Sequence, residues 1–70
     1  MSDAIKKRSV DVAGHRTSVS IEAPFWTALA KIAARKNVSV AQLIATIDKQ
    51  REGNLSSAIR VYVLREIERG

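Results

Sequence analysis

Apolar residues follow two different periods along the chain. From Arg16 to Ile21 they alternate with polar residues, so that Thr17, Val19 and Ile21 would share one face of a strand. From residue 24 onward they recur every three or four positions, as in helices that bury one face. The pattern predicts a mainly α fold with one strand at about 16–21 and helices at about 24–36, 39–51 and 55–69.

Local signals mark the predicted helix ends. Pro24 is tolerated in the first turn of a helix, and Asn37 can adopt the left-handed conformation at a helix end. The run from Ser39 to Gln42 has the spacing of a capping box, in which each side chain accepts a hydrogen bond from the other residue's backbone. We expect the apolar faces of strand and helices to form the core of a dimer. This predicted dimer core comprises Thr17, Val19, Ile21, Phe25, Leu29, Ile32, Leu43, Ile44 and Ile47.

The predicted strand needs a partner, because a single strand leaves its backbone N–H and C=O groups unpaired. Residues 10–14 also alternate and allow a brief strand before a turn at Gly14, but no second run equals 16–21. We therefore predict that the strand pairs antiparallel with its twin in a homodimer. Residues 1–9 are predicted to be a flexible basic arm preceding one domain at 10–70.

Composition narrows the class of partner. The 70 residues carry a net charge of +5 and a pI near 10.3, which favours polyanions such as nucleic acid. The absence of cysteine and the single histidine exclude disulfides and point to no metal and no cofactor. No apolar run reaches membrane-spanning length, and the first residues lack the apolar segment of a signal peptide. We expect a cytoplasmic protein with no membrane partner.

The polar face of the predicted strand carries Arg16, Ser18 and Ser20. A two-stranded ribbon fits the major groove of DNA, where an arginine can contact guanine and serines tolerate several bases. The alternative is a solvated strand face or a contact with another protein. Lys6, Lys7 and Arg8 would follow the DNA backbone or form a solubilising tail.

Candidate catalytic residues are few. His15 has no evident acid–base partner, and Asp48 and Glu52 are spaced as a solvated helix face. The sequence contains no phosphate-binding loop, nucleophile elbow or metal-ligand spacing. We predict that the protein is not an enzyme.

The order of elements from about 16 to 51 resembles the ribbon-helix-helix transcription factors, the Arc- and methionine-repressor-like family. The resemblance rests on the alternating strand, the helix opened near Pro24, the Asn37-Val38-Ser39 turn and the capped second helix. The stretches 13–20, 25–26 and 54–60 are similar to a bacterial subfamily of small ribbon-helix-helix proteins. A third helix and a ribbon with only one long side chain depart from the common pattern.

The resemblance implies both a function and its residues. The outward side chains of Arg16, Ser18 and Ser20 would read bases, and Ser39 with the amides of Val38 and Val40 would hold a phosphate. It implies a homodimeric, sequence-specific regulator, in particular a repressor acting on an inverted repeat. The alternative is an antitoxin-like interaction module that binds a protein partner through the C-terminal helix. The apolar face of that helix comprises Leu55, Ile59, Tyr62 and Val63.

Overall fold

A computed structural model describes residues 4–70 as a β-hairpin followed by three helices. The strands β1 (Ile5–Val12) and β2 (His15–Glu22) pair antiparallel within the chain. The helices are α1 (Ala23–Arg35), α2 (Val40–Gln50) and α3 (Leu55–Arg69). The predicted helices are confirmed, with every end within one residue of its predicted position.

The hairpin corrects the prediction of a lone strand. Residues Val12 and His15 are cross-strand partners, and the two-residue loop between them holds Ala13 at φ 52° and Gly14 at φ 83°. Positive φ at both loop positions gives the twist that matches a tight hairpin, and glycine adopts it without strain. The backbone of β2 is therefore paired by β1 of the same chain, and a twin strand is not needed for that purpose.

β1 also corrects the predicted flexible arm. Residues 5–9 belong to a regular strand, so the prediction of a flexible arm is wrong over that segment. Residues 1–3 of the predicted arm lie outside the described part of the chain. Two cations, Lys6 and Arg8, occupy the face of β1 that also carries Val10 and Val12. They interrupt the apolar alternation by which a half-buried strand is detected from sequence.

Arg8 is accommodated on this inner face by Trp26 of α1. Its guanidinium carbon lies 4.7 Å from the centroid of the indole ring, within the range of a cation–π contact. Its Nε atom is buried without a hydrogen-bond partner. The contact ties the middle of β1 to the start of α1 and keeps the Arg8 guanidinium on the core side of the hairpin.

The hydrophobic core of the described residues is formed by side chains of one chain, and it contains most of the residues predicted for the dimer core. Of the predicted core residues, Thr17 and Phe25 are half-buried and the others are buried. Val12 of β1, Ala33 of α1 and three residues of α3 complete the cluster. The α3 contribution comes from Leu55, Ile59 and Val63.

The connection from α1 to α2 is fixed by its own backbone. Asn37 has a positive φ of 62°, as predicted, and the Val38 N–H donates to the Ala33 carbonyl oxygen at 3.0 Å. The predicted capping box is confirmed: Ser39 Oγ accepts from the Gln42 N–H at 3.0 Å, and Gln42 Oε1 accepts from the Ser39 N–H at 2.8 Å. These bonds set the direction in which α2 leaves the turn.

Candidate nucleic-acid interface

The outer face of the hairpin carries polar side chains from both strands. Its cross-strand pairs are Lys7 with Ser20, Ser9 with Ser18, and Asp11 with Arg16. The opposite face carries the buried Val12, Val19 and Ile21, since successive side chains alternate between the two faces. We call the first set, Lys7, Ser9, Asp11, Arg16, Ser18 and Ser20, the outer face.

The three predicted base-contacting residues share this outer face, but their surroundings differ. Arg16 and Ser18 are exposed, whereas Ser20 is half-buried near α3. The contribution of β1 to the face was missed, because it depends on the pairing register. The alternation at residues 10–14 was the available signal.

Arg16 forms an ion pair with Asp11 across the hairpin. Arg16 Nε donates to Asp11 Oδ1 at 3.2 Å, and the two side chains are 75% and 70% exposed. An ion pair this exposed contributes little to stability, so it orients the guanidinium while leaving it free to exchange partners. The outer face therefore presents a solvent-accessible arginine next to a carboxylate.

The end of β2 is held by α3. Ser20 N–H donates to Ser56 Oγ at 2.9 Å, and Arg60 donates to the Ser20 carbonyl oxygen at 3.1 Å. Arg60 Nε also donates to Glu22 Oε1 at 2.9 Å, and this hydrogen bond is the main reason that the pKa of Glu22 lies below its usual range. Sequence reasoning missed both Ser56 and Arg60, since neither is near β2 in the chain.

The three predicted basic phosphate contacts do not lie together. Lys7 is exposed on the outer face, opposite Ser20. Lys6 is exposed on the other face, and Arg8 lies over Trp26. Of these three cations, Lys7 is the one that shares the outer face with Arg16 and Ser18, and it lies toward the end of the hairpin opposite Arg16.

The N-terminus of α2 offers fewer free amides than predicted. The Val38 amide already donates to Ala33 and the Ser39 amide to Gln42, so neither is available to a phosphate without losing a hydrogen bond. The first amides of a helix have no intrahelical acceptor, which leaves those of Val40 and Ala41 at this end. The capping hydroxyl of Ser39 is exposed but engaged.

The apolar face of α3 that was considered as a partner surface is closed by its own chain. Leu55, Ile59 and Val63 are buried and Tyr62 is half-buried. The large apolar residues of α3 that remain exposed are Val61, Leu64 and Ile67. A protein partner would therefore have to use a different face of this helix from the one predicted.

Within residues 4–70, no group of three or more His, Cys, Asp or Glu side chains is arranged to hold a metal ion. Among the described helices, none combines the length and apolarity needed to cross a membrane.

Comparison with known proteins identifies the fold family. Residues 5–67 match the family model of the ribbon-helix-helix domain. The solved structure of an uncharacterized protein from Bordetella pertussis Tohama I is similar, with a TM-score of 0.77 and 35% sequence identity over 93% of this chain. This chain spans 57% of the length of that one. No curated protein matches the chain.

Ribbon-helix-helix proteins are generally DNA-binding transcription regulators that act as dimers. The order of a β-ribbon followed by helices is present here, with both strands of the ribbon supplied by one chain. Because the family model covers nearly the whole length, this chain belongs to the ribbon-helix-helix family.

Proposed function

We propose that this chain binds double-stranded DNA with sequence specificity and regulates transcription as a homodimeric repressor. The observation that carries the proposal is the outer face of the hairpin, which is polar, exposed and two strands wide. Neighbouring strands lie about 4.8 Å apart and the major groove is about 12 Å wide, so a hairpin can enter it. The net charge of +5 favours the approach to DNA.

The proposed base contacts are made by Arg16, Ser18 and Ser20. Arg16 can exchange its exposed ion pair with Asp11 for two hydrogen bonds to guanine O6 and N7. The neighbouring carboxylate disfavours a phosphate at the same place, which directs Arg16 toward base edges. The serines donate or accept, so they tolerate several bases and we expect modest specificity from them.

The proposed phosphate contacts come from two places. Lys7 on the outer face is exposed and can reach the backbone beside the groove. The amides that open α2, that of Val40 first, combine with the positive end of the helix dipole to attract an anion. Lys6 is a further exposed cation, whereas using Arg8 or the Val38 amide would require breaking a contact formed in the folded chain.

The proposal is tested by selecting preferred sites from a random double-stranded DNA pool and titrating the selected and a scrambled duplex. Arg16→Ala should weaken binding to the selected duplex by roughly 5- to 150-fold, the loss of one bidentate base contact. Binding to the scrambled duplex should fall much less. Arg65→Ala removes the same charge from an exposed position on α3 and serves as the matched control.

Three results would count against the proposal. Failure of the pool to enrich any sequence would remove the claim of specificity. Equal losses on both duplexes would make Arg16 a phosphate contact. Equal effects of Arg16→Ala and Arg65→Ala would remove the outer face from the interface.

A further inference from the structure

An apolar groove lies between α1 and the end of α3. Its volume is about 750 Å³, within the range of about 300–1,000 Å³ that is usual for small-molecule sites. Pro24 and Ala28 of α1 line one side, and Ile67 of α3 lines the other. Ile67 is 62% exposed although its side chain is large and apolar. The groove therefore offers apolar surface that the chain leaves uncovered within residues 4–70.

The charges of the groove differ along its length. The lining residues of α1 before position 31 carry no charge, whereas Lys31 and Arg35 line the part toward the end of this helix. These two cations are four positions apart and therefore lie on the same face of α1. Both are exposed, and neither takes part in an ion pair within residues 4–70. The groove thus has an uncharged part and a cationic part.

One carboxylate also lines the groove, but its charge is already compensated. Glu66 is buried, and different cations bind its two oxygens: Lys36 Nζ lies 3.6 Å from Oε1, and Arg69 donates to Oε2 at 3.1 Å. Because these partners offset the charge of Glu66, the charges of Lys31 and Arg35 remain in excess. A ligand that enters the groove meets a positive potential.

We propose that this groove binds a fatty acid, a ligand with one carboxylate and one unbranched apolar chain. The apolar chain lies against Pro24, Ala28 and Ile67, and the carboxylate accepts hydrogen bonds from Lys31 and Arg35. Burial of the chain removes apolar surface of both the ligand and the groove from water. The carboxylate supplies the opposite charge that the two cations lack in the folded chain.

The shape and polarity of the groove favour this ligand over other classes. The lining of α1 extends from Ala23 to Arg35, about 18 Å at a rise of about 1.5 Å per residue, so a long and narrow ligand can follow it. A compact anion such as phosphate would leave the apolar part uncovered. An extended peptide would find few partners for its backbone groups, because the backbones of α1 and α3 are hydrogen-bonded within each helix.

Titration calorimetry with decanoate tests the proposal on the whole chain without DNA, so the result is independent of the proposed DNA binding. Decanoate should bind, whereas decyltrimethylammonium, which has the same chain and the opposite charge, should not. Fatty acids with longer chains should bind more tightly, by up to about fourfold for each additional CH₂ group that is buried. Absence of decanoate binding, or equal binding of the two decyl compounds, would overturn the proposal.

Two pairs of variants locate the ligand. Ile67→Ser should weaken decanoate binding by roughly tenfold, whereas Leu64→Ser, at an exposed position of α3 outside the groove, should not change it. Lys31→Gln should weaken binding by about threefold to fivefold, and Lys49→Gln, which removes an exposed charge from α2, should not. Circular dichroism confirms that each variant is folded. Equal effects within either pair would remove the ligand from this groove.

Other occupants of the groove predict different results. If a second copy of the chain covered it, Ile67→Ser would lower the mass measured by analytical ultracentrifugation and Leu64→Ser would not. If an acidic amphipathic helix of another protein covered it, a helical peptide of leucine and glutamate would bind more tightly than decanoate and displace it. Either result would overturn the assignment of the groove to a fatty acid.

Discussion

The two strands of the hairpin are held in different ways. Val19 and Ile21 of β2 are fully buried, and its far edge is tied to α3 through Ser20. β1 buries Val12 near the turn, but toward its beginning the inner face carries Arg8 and Lys6 instead of apolar residues. The proposed base-reading residues thus lie on the strand that buries more apolar side chains and whose end is hydrogen-bonded to α3.

This difference in anchoring bears on which strand can read bases. A side chain that reads bases benefits from a backbone whose position is fixed, because misplacement weakens directional hydrogen bonds. Hydrogen bonds to α3 fix the end of β2 in this way, whereas β1 packs against α2 and contacts α1 through Arg8.

The largest expected effect comes from removing a buried side chain of β2. Ile21→Ala should lower the free energy of unfolding by about 2–5 kcal/mol, because Ile21 is fully buried in the core. The matched change on β1, Val10→Ala, removes a half-buried side chain and should cost about 1 kcal/mol. Urea unfolding followed by circular dichroism measures both. Equal losses would show that the strands are anchored alike.

A smaller effect is expected at the edge of β2. Ser56→Ala leaves the part-buried Ser20 N–H without its acceptor and should lower the free energy of unfolding by about 1–2 kcal/mol. Ser57→Ala, at the adjacent exposed position of α3, makes the same change in helix propensity and is the control. Faster amide exchange at Ser20 in Ser56→Ala should accompany the loss. Identical stabilities of the two variants would mean that α3 does not hold the edge.

The smallest effect concerns Glu22 and its dependence on pH. The Arg60 hydrogen bond lowers the pKa of Glu22 in the folded chain, so its contribution to stability is complete above the ordinary value of 4.5. That contribution is lost as the pH falls through the lowered pKa. The stability difference between the unmodified chain and Glu22→Gln, measured by urea unfolding, should therefore shrink on acidification. The effect is small because both side chains are partly exposed.

Arg60→Ala provides the control for this pH dependence. Without the guanidinium, the pH dependence of the Glu22→Gln difference should become weaker, and what remains reflects the backbone hydrogen bond of Glu22, which also lowers its pKa. A pH-dependent difference of undiminished size in the Arg60→Ala background would show that Arg60 is not the main cause of the lowered pKa.

Much of the helical fold could be predicted from the sequence, because its signals are local. The capping box at Ser39 and the left-handed Asn37 act within one turn of the chain. Asn37 also indicates that the Val38 amide is not free to bind a phosphate, which was overlooked. A left-handed residue at a helix end directs the next amide, that of Val38, to a carbonyl oxygen of the preceding helix. The shared face of Arg16, Ser18 and Ser20 followed from strand alternation alone.

The sequence by itself determined three helices, their caps and the polar face of one strand. Only the tertiary structure decided that β1 extends back to Ile5, since Arg8 occupies an inner position by contacting Trp26 on α1. It likewise decided which edge is closed, because Ser56 and Arg60 reach Ser20 across 36 and 40 positions of chain. Periodicity and capping arise between residues a few positions apart, whereas the occupancy of a strand edge depends on which distant segment packs beside it.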